Sequence, residues 1–231
     1  KYFSSRHIEI SMFRSVVFSG MYAFVPVILV LFQPDLGSSL SLIVVWLGMI
    51  LFSGIRARHL VLLAVLFGLV FALGWNFYLH DYQKQRIAAF LNPNIDTKGV
   101  AWSANQSKIA IGNGGLLGQG IGNGSQTQYG FLSEPKTDFI FSAIAEEFGF
   151  LGIFILFILF LALFWQIVSV VFHAHSNFTG LFAFGFAFLL LAQIYINIGM
   201  CLGLFPVVGI PLPFVSYSGS FTLAFYIGLG I

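Results

Sequence analysis

From Phe139 to Phe172 the chain is almost unbroken hydrocarbon, its only charges being Glu146 and Glu147. A run this long cannot cover a water-soluble domain, because about 20 apolar residues already cross a bilayer. Further apolar runs lie at about 15–32, 38–54, 60–79 and 178–204, and another begins near Phe214. In lipid each such run must satisfy its backbone hydrogen bonds internally, which selects helices. The predicted fold class is therefore all-α: an integral membrane protein, a polytopic transmembrane helix bundle. Composition agrees. The chain is 58% hydrophobic and 8% charged, whereas a soluble domain carries roughly 25% charged residues. A net charge of +2 is too small to point to nucleic acid.

The single cysteine, Cys201, excludes an internal disulfide and reads as a small buried hydrophobe. No cleavable signal peptide is recognisable at the start. The chain opens on Lys1 and closes on Ile231 inside an apolar run, so it reads as a fragment of a longer membrane protein. Residues 1–231 are expected to form a single transmembrane domain. Phe139–Phe172 is too long for one upright crossing, which leaves two versions open. It is either one strongly tilted span, or a short lead-in followed by a span from about Gly149, where glycine tolerates a bend.

Basic residues in short loops set the orientation. Lys1, Arg6 and Arg14 flank the first span and Arg56 and Arg58 follow the second, whereas Gln33–Gly37 and Phe205–Ser216 contain no lysine or arginine. Alternation puts residues 1–14, 56–59 and 173–177 in the cytoplasm and 33–37, 80–136 and 205–216 outside. The interval 80–136 is thus a long extracytoplasmic loop. Its basic residues, Lys84, Arg86, Lys98, Lys108 and Lys136, outnumber Asp81, Asp96 and Glu134. Such cations suit an anionic headgroup, and equally they suit solvent or ordinary anionic lipid. A helix is predicted to start at Asp81, and a short amphipathic one to cover Trp102–Ile111, offering Gln106, Ser107 and Lys108. The glycines of Ile111–Gly120 and Ile121–Gly124 read as a mobile loop, or as backbone N–H groups open to a diphosphate. They follow no predicted strand, so they are not a dinucleotide fingerprint. No metal site is expected, since His80 and Asp81 have no second ligand cluster near them.

Charge beside hydrocarbon is costly, so Ser133–Gly149 stands out. Thr137 is expected to cap a helix beginning at Asp138, where an acid favours the helix dipole. The alternative reading makes Asp138 a general base or charge stabiliser at the membrane–water boundary. At 100° per residue Ser142, Ala145 and Gly149 share its face, while Glu146 lies about 80° away and Glu147 roughly opposite. Neither glutamate forms a simple dyad with Asp138, and both are expected to be cavity or packing charges. Glu134 is expected to hold Lys136 or a ligand. Asp35 reads as a turn and cap residue.

Four motifs then occur in order: Gln33–Gly37 (QPDLG), Gln106–Gly112 (QSKIAIG), Glu134–Phe141 (EPKTDFIF) and Pro211–Tyr217 (PLPFVSY). Together they resemble the SEDS family (shape, elongation, division and sporulation), which includes RodA and FtsW. His80–Arg86 and Ser125–Gln128 are more similar to the RodA branch; Ser218 replaces a more usual glycine. The resemblance implies roughly the last six of ten transmembrane helices, and it attaches activity to the whole protein. It implies a peptidoglycan glycosyltransferase that polymerises lipid II into glycan strands at the outer face of the bacterial cytoplasmic membrane, for cell elongation and rod shape. The implied catalytic residue is Asp138. The implied substrate-binding residues are Lys108, Arg86, Lys136, Glu134, Gln106 and Ser107. Lys108, Arg86 and Lys136 would neutralise the departing undecaprenyl diphosphate; a divalent cation such as Mg2+ is left open as a helper, with no metal ligands named. The implied partner is a class B penicillin-binding protein, a transpeptidase. Two other readings stay open: a lipid II flippase, supported by Glu146 and Glu147 within an apolar run, and a non-catalytic scaffold for the transpeptidase.

Overall fold

The computed structural model describes residues 13–33, 35–55, 57–77, 80–92, 99–174 and 176–230. Among them the chain forms helices and turns without strands. In order these are α1 (Phe13–Leu31), α2 (Leu36–Phe52), α3 (Ala57–Phe77), α4 (Asp81–Leu91), α5 (Val100–Gly114), α6 (Ser125–Gln128), α7 (Ile140–His173), α8 (Asn177–Cys201) and α9 (Gly219–Gly230). Among the described residues, α7, α8 and the 57–75 part of α3 are long and apolar enough to cross a membrane. The predicted long loop therefore contains helices, with α4 and α5 at the two places where helices are expected. The last apolar run differs: α9 starts at Gly219, not near Phe214. Pro211 and Pro213 lack N–H groups, and the 211–218 backbone is committed to the contacts described below.

The described residues pack as two compact units. The first takes residues 13–84 and 165–189. Val16, Trp46, Ile50, Leu63 and Leu181 are its buried core. The Trp46 indole donates to Ser19 Oγ at 3.3 Å, and the Ser19 hydroxyl donates to the Val16 carbonyl at 2.9 Å. Asp35 caps α2 by accepting from the backbone N–H of Ser38 (3.0 Å) and its hydroxyl (2.6 Å). It is the turn residue its context predicts.

The second unit takes residues 85–164 and 190–230. Its core gathers Leu132, Phe139, Phe141, Phe160, Ile194, Met200, Cys201, Val207 and Leu212. Its organising feature is a break in α7 at Gly149, where φ is 64° and ψ is −162°. Only glycine occupies that region readily. A break strands N–H and C=O groups that a helix would have paired, and in an apolar setting each must find a partner. The glycine-rich segment after α5 supplies them. Gln119 and Gly120 donate to the carbonyls of Glu146 (2.9 Å) and Glu147 (3.0 Å), while Phe150 and Leu151 donate to the carbonyls of Gly115 (2.9 Å) and Leu116 (3.1 Å). Close approach makes this possible: a Cβ on Gly149 would collide with the Gly118 nitrogen and the Leu116 carbonyl, and one on Gly118 with Glu147. The long apolar run is thus a lead-in and a span joined at Gly149. The glycines of 114–120 are neither a mobile loop nor a bed of free N–H groups for a diphosphate; those of Gly118, Gln119 and Gly120 are bonded within the protein.

Replacing Gly149 with alanine should cost at least about 2 kcal/mol, since both the dihedral and the contact with Gly118 oppose a Cβ. Gly112, inside α5 with open space around it, should accept alanine with a gain of up to about 1 kcal/mol. Thermal unfolding in detergent, followed by circular dichroism, checks both. A G149A midpoint at or above wild type would refute the account of the break.

Candidate functional site

Asp138 lies in the turn before α7, which begins at Ile140. The expected Thr137-capped helix starting at Asp138 does not form, and the hydrogen bonds show why. The N–H of Ser142 donates to the carbonyl of Phe139 (3.0 Å), three residues back. The Asp138 carbonyl is left for Asn197, whose Nδ2 donates to it at 2.9 Å and to the Ile210 carbonyl at 2.8 Å. Its two predecessors are held the same way. The Ser216 hydroxyl donates to the Thr137 carbonyl at 2.7 Å while accepting from the N–H of Leu212 at 2.7 Å. The Tyr217 N–H donates to the Lys136 carbonyl at 2.8 Å. Three successive carbonyls, 136 to 138, are therefore captured by α8 and the 211–217 motif. Asp138 sits on a backbone that cannot turn without breaking several hydrogen bonds.

The side chain faces Arg86. Gly209 lies beside both: a Cβ there would stand 3.4 Å from Asp138 Oδ2 and 4.0 Å from Arg86 Nη1. Arg86 Nη1 also donates to the Val208 carbonyl at 3.3 Å, which ties α4 to the same loop. Burial pushes the Asp138 carboxyl above the usual carboxylate range; the Arg86 charge and a hydrogen bond from Thr137 pull it down, and the Glu134 charge pushes it up. Desolvation wins, so the group is a stronger base than an ordinary aspartate. Cys201, fully buried, rests its sulfur 3.8 Å from the Asp138 carbonyl and packs as the hydrophobe expected.

The remaining expected site residues are dispersed. Glu134 is exposed, has a left-handed φ of 46°, and bears on Asp138 through its charge. Lys136 is exposed, so its ammonium is open to a ligand, but only its carbonyl takes part in the clamp. Lys108 packs its stem against Gly203, with its Cδ and Nζ both 3.3 Å from where a Cβ would stand. It lines a small cleft of about 40 Å³ with Ala89, Phe90, Asn105 and Phe205. Gln106 is half-buried on the same helix. Ser107 is fully buried, and its hydroxyl bonds the Ser142 hydroxyl at 2.6 Å and the Cys201 carbonyl at 2.7 Å. It ties α5, α7 and α8 together and leaves no free hydroxyl for a ligand. Among the described residues no three of His, Cys, Asp and Glu converge into a group that could hold a metal.

Glu146 has a structural task. It is fully buried and accepts from the N–H groups of Gln126 (2.7 Å) and Thr127 (3.0 Å) and from the hydroxyls of Thr127 (2.7 Å) and Ser125 (3.3 Å). It thereby caps α6. Asn197 and Ser216 escaped the sequence reading as site residues. An amide within an apolar helix was the one signal for Asn197, and Ser216 lay inside a motif already singled out.

Several helices long and apolar enough to cross a membrane define the class, a polytopic helical membrane protein, with a desolvated carboxylate beside Arg86 in the turn before one of them. The chain belongs to the FtsW/RodA/SpoVE family of cell cycle proteins, whose family model matches residues 2–231. It is 41% identical over 208 residues to the peptidoglycan glycosyltransferase MrdB of Escherichia coli K12, covering 90% of this chain and 56% of that protein. The stage V sporulation protein E of Bacillus subtilis is 34% identical over 243 residues, covering 100% of this chain and 63% of that protein. A solved structure described as "Structural coordination of polymerization and crosslinking by a peptidoglycan synthase complex" superposes with a TM-score of 0.78 at 30% identity, covering 95% of this chain and 61% of that one. The chain thus spans little more than half the length of these relatives.

Asn197→Ala would leave the Ile210 carbonyl without its amide donor and the Asp138 carbonyl with only the weak bond from the Cys201 thiol, and about 1–3 kcal/mol of stability should be lost. Glu146→Gln should cost about 1–3 kcal/mol, because an amide NH2 must then face a backbone N–H donor. Unfolding midpoints in detergent would decide; wild-type values for both would remove the clamp and the cap from the account.

Proposed function

We propose that this chain is part of a peptidoglycan glycosyltransferase that polymerises lipid II at the outer face of the bacterial cytoplasmic membrane, with Asp138 as its general base. The observation that carries the reading is Asp138 itself: a desolvated carboxylate beside Arg86, on a backbone clamped at three successive carbonyls. The names of its relatives, which run from MrdB to FtsW, supply the reaction class.

In the step proposed, the C4 hydroxyl of the acceptor's GlcNAc attacks the anomeric carbon of the lipid-linked MurNAc. The new C–O bond forms as the bond from that carbon to the diphosphate oxygen breaks. The hydroxyl proton passes to Asp138, and the electron pair leaves with undecaprenyl diphosphate. Arg86 stands where its guanidinium can meet that charge; Lys108 and Lys136 are further candidates, since cations aimed at a developing anion lower the barrier. One displacement inverts the anomeric centre, so no covalent enzyme intermediate is required. Glu134 then tunes Asp138 by its charge, while Gln106 is left to contact sugar. A class B penicillin-binding protein is the proposed partner, in keeping with the crosslinking named for the neighbouring complex. The flippase reading loses support, because the Glu146 oxygens are occupied in capping α6. A scaffold without catalysis gives no reason for a desolvated acid beside Arg86.

Asp138→Asn, made in the protein at its natural length and assayed with its partner, should lower glycan polymerisation by at least about 100-fold, the usual scale of a general base. Lipid II translocation should be unchanged. Intact polymerisation would sink the catalytic assignment, and lost translocation with intact polymer would favour the flippase. The same variant should melt no lower than wild type. A carboxyl raised in the fold favours its neutral form there, so stability falls as pH rises through the unfolded and then the folded value, and the amide escapes that penalty.

The acid limb of kcat/KM should fall above the ordinary carboxylate range, since the base form must be present. Arg86→Ala, by removing the charge that pulls Asp138 down, should move that limb to still higher pH. A pH–rate profile of both proteins checks the direction; a limb that stays put or moves down contradicts it.

A further inference from the structure

We infer that the segment from Gly115 to Gly122 is a lipid anchor, with Leu116, Leu117 and Ile121 inserted into the leaflet that borders the start of α7. These three side chains are 76%, 79% and 77% exposed. Three large apolar side chains this open within a short stretch form the kind of exposed patch that marks a binding or membrane surface.

Their position relative to α7 fixes where they meet the bilayer. The carbonyls of Gly115 and Leu116 accept from Phe150 and Leu151, so the leucines ride beside α7 about one-third of the way along it. After the break at Gly149 the span runs from Phe150 to Phe172, about 35 Å at 1.5 Å per residue, whereas the hydrocarbon layer is about 30 Å thick and takes about 20 residues. Counted back from Phe172, the last apolar residue of the run, the boundary falls near Ile153. Leu116 and Leu117 are then within about 5 Å of it along the axis, which a leucine side chain largely bridges. Any placement of the span nearer to Ile140 immerses them further. Phe150, Leu151, Phe154 and Ile155 are also exposed, so the leucines continue an apolar surface of α7.

The backbone suits that setting too. A chain segment enters an apolar layer only when its polar groups are paired. Gly118 donates to Gly114, Gln119 and Gly120 donate to Glu146 and Glu147, and the carbonyls of 115 and 116 are taken. The Gln119 side chain is exposed but bonded at both ends, its Oε1 accepting from the Ser125 N–H at 3.2 Å and its Nε2 donating to the Asn113 carbonyl at 3.5 Å. No charged residue or histidine occurs from Ile109 through Ser133. The bonds that mend the break in α7 thus also leave this segment able to lie against lipid.

The test uses the protein at its natural length in vesicles of phosphatidylcholine and phosphatidylglycerol. A nitroxide is attached in turn at Leu116→Cys, Leu117→Cys and, as a water-side reference, Glu134→Cys; Cys201 is fully buried. The ratio of collisions with oxygen to collisions with a water-soluble nickel chelate should be several-fold higher at 116 and 117 than at 134. Two results would overturn the anchor. A nickel accessibility equal to that at 134 would put the leucines in water. Immobilised labels shielded from both reagents would mean that protein covers them. Agreement between 116 and 117 guards against a local effect of one substitution.

Discussion

Backbone groups that lose their helical partners have to be re-paired where water is scarce, and that constraint shapes the second unit of this protein. α7 meets it twice. At Gly149 the helix breaks, and the stranded groups on either side are taken up by the segment after α5. At its start the helix forms late, and the carbonyls of Lys136, Thr137 and Asp138 are taken up by Tyr217, Ser216 and Asn197. The first event locks a glycine-rich segment onto the helix. The second locks the candidate catalytic residue. Both are answers to one cost: an unpaired buried polar group is worth about 1–3 kcal/mol against the fold.

This arrangement also separates two kinds of acid. Glu146 is fully buried and surrounded by donors, so its charge is consumed in holding α6. Asp138 has fewer partners for its side chain, and burial leaves it with a raised proton affinity beside Arg86. A carboxylate with satisfied oxygens is structural; one that remains partly unsatisfied can take a proton from a substrate. Sequence spacing alone could rank the two by helical face, yet the decisive difference lies in what each carboxylate touches.

Much of the architecture was legible because it follows from local composition. Runs of apolar residues announced the helices, Asp35 announced a turn through its neighbours, and Gly149 announced a possible break in a run too long for one upright crossing. The role of the glycines at 114–120 was not legible. Their partners are thirty residues away, and no local signal distinguishes a glycine kept for flexibility from one kept so that two backbones can touch. Ser107 was not legible either: its motif implied a substrate contact, but its hydroxyl is taken by Ser142 and the Cys201 carbonyl.

By itself the sequence determined that this chain is a helical membrane protein, where its apolar runs lie, and which ordered motifs tie it to its family. Hydrophobicity and spacing are properties of consecutive residues, so they survive without coordinates. Only the tertiary structure decided that Asn197 holds Asp138, that Gly209 lets Arg86 approach it, and that Glu146 is a cap. Those facts depend on hydrogen bonds and charges between residues far apart in the chain, and such pairs exist only once the helices have packed.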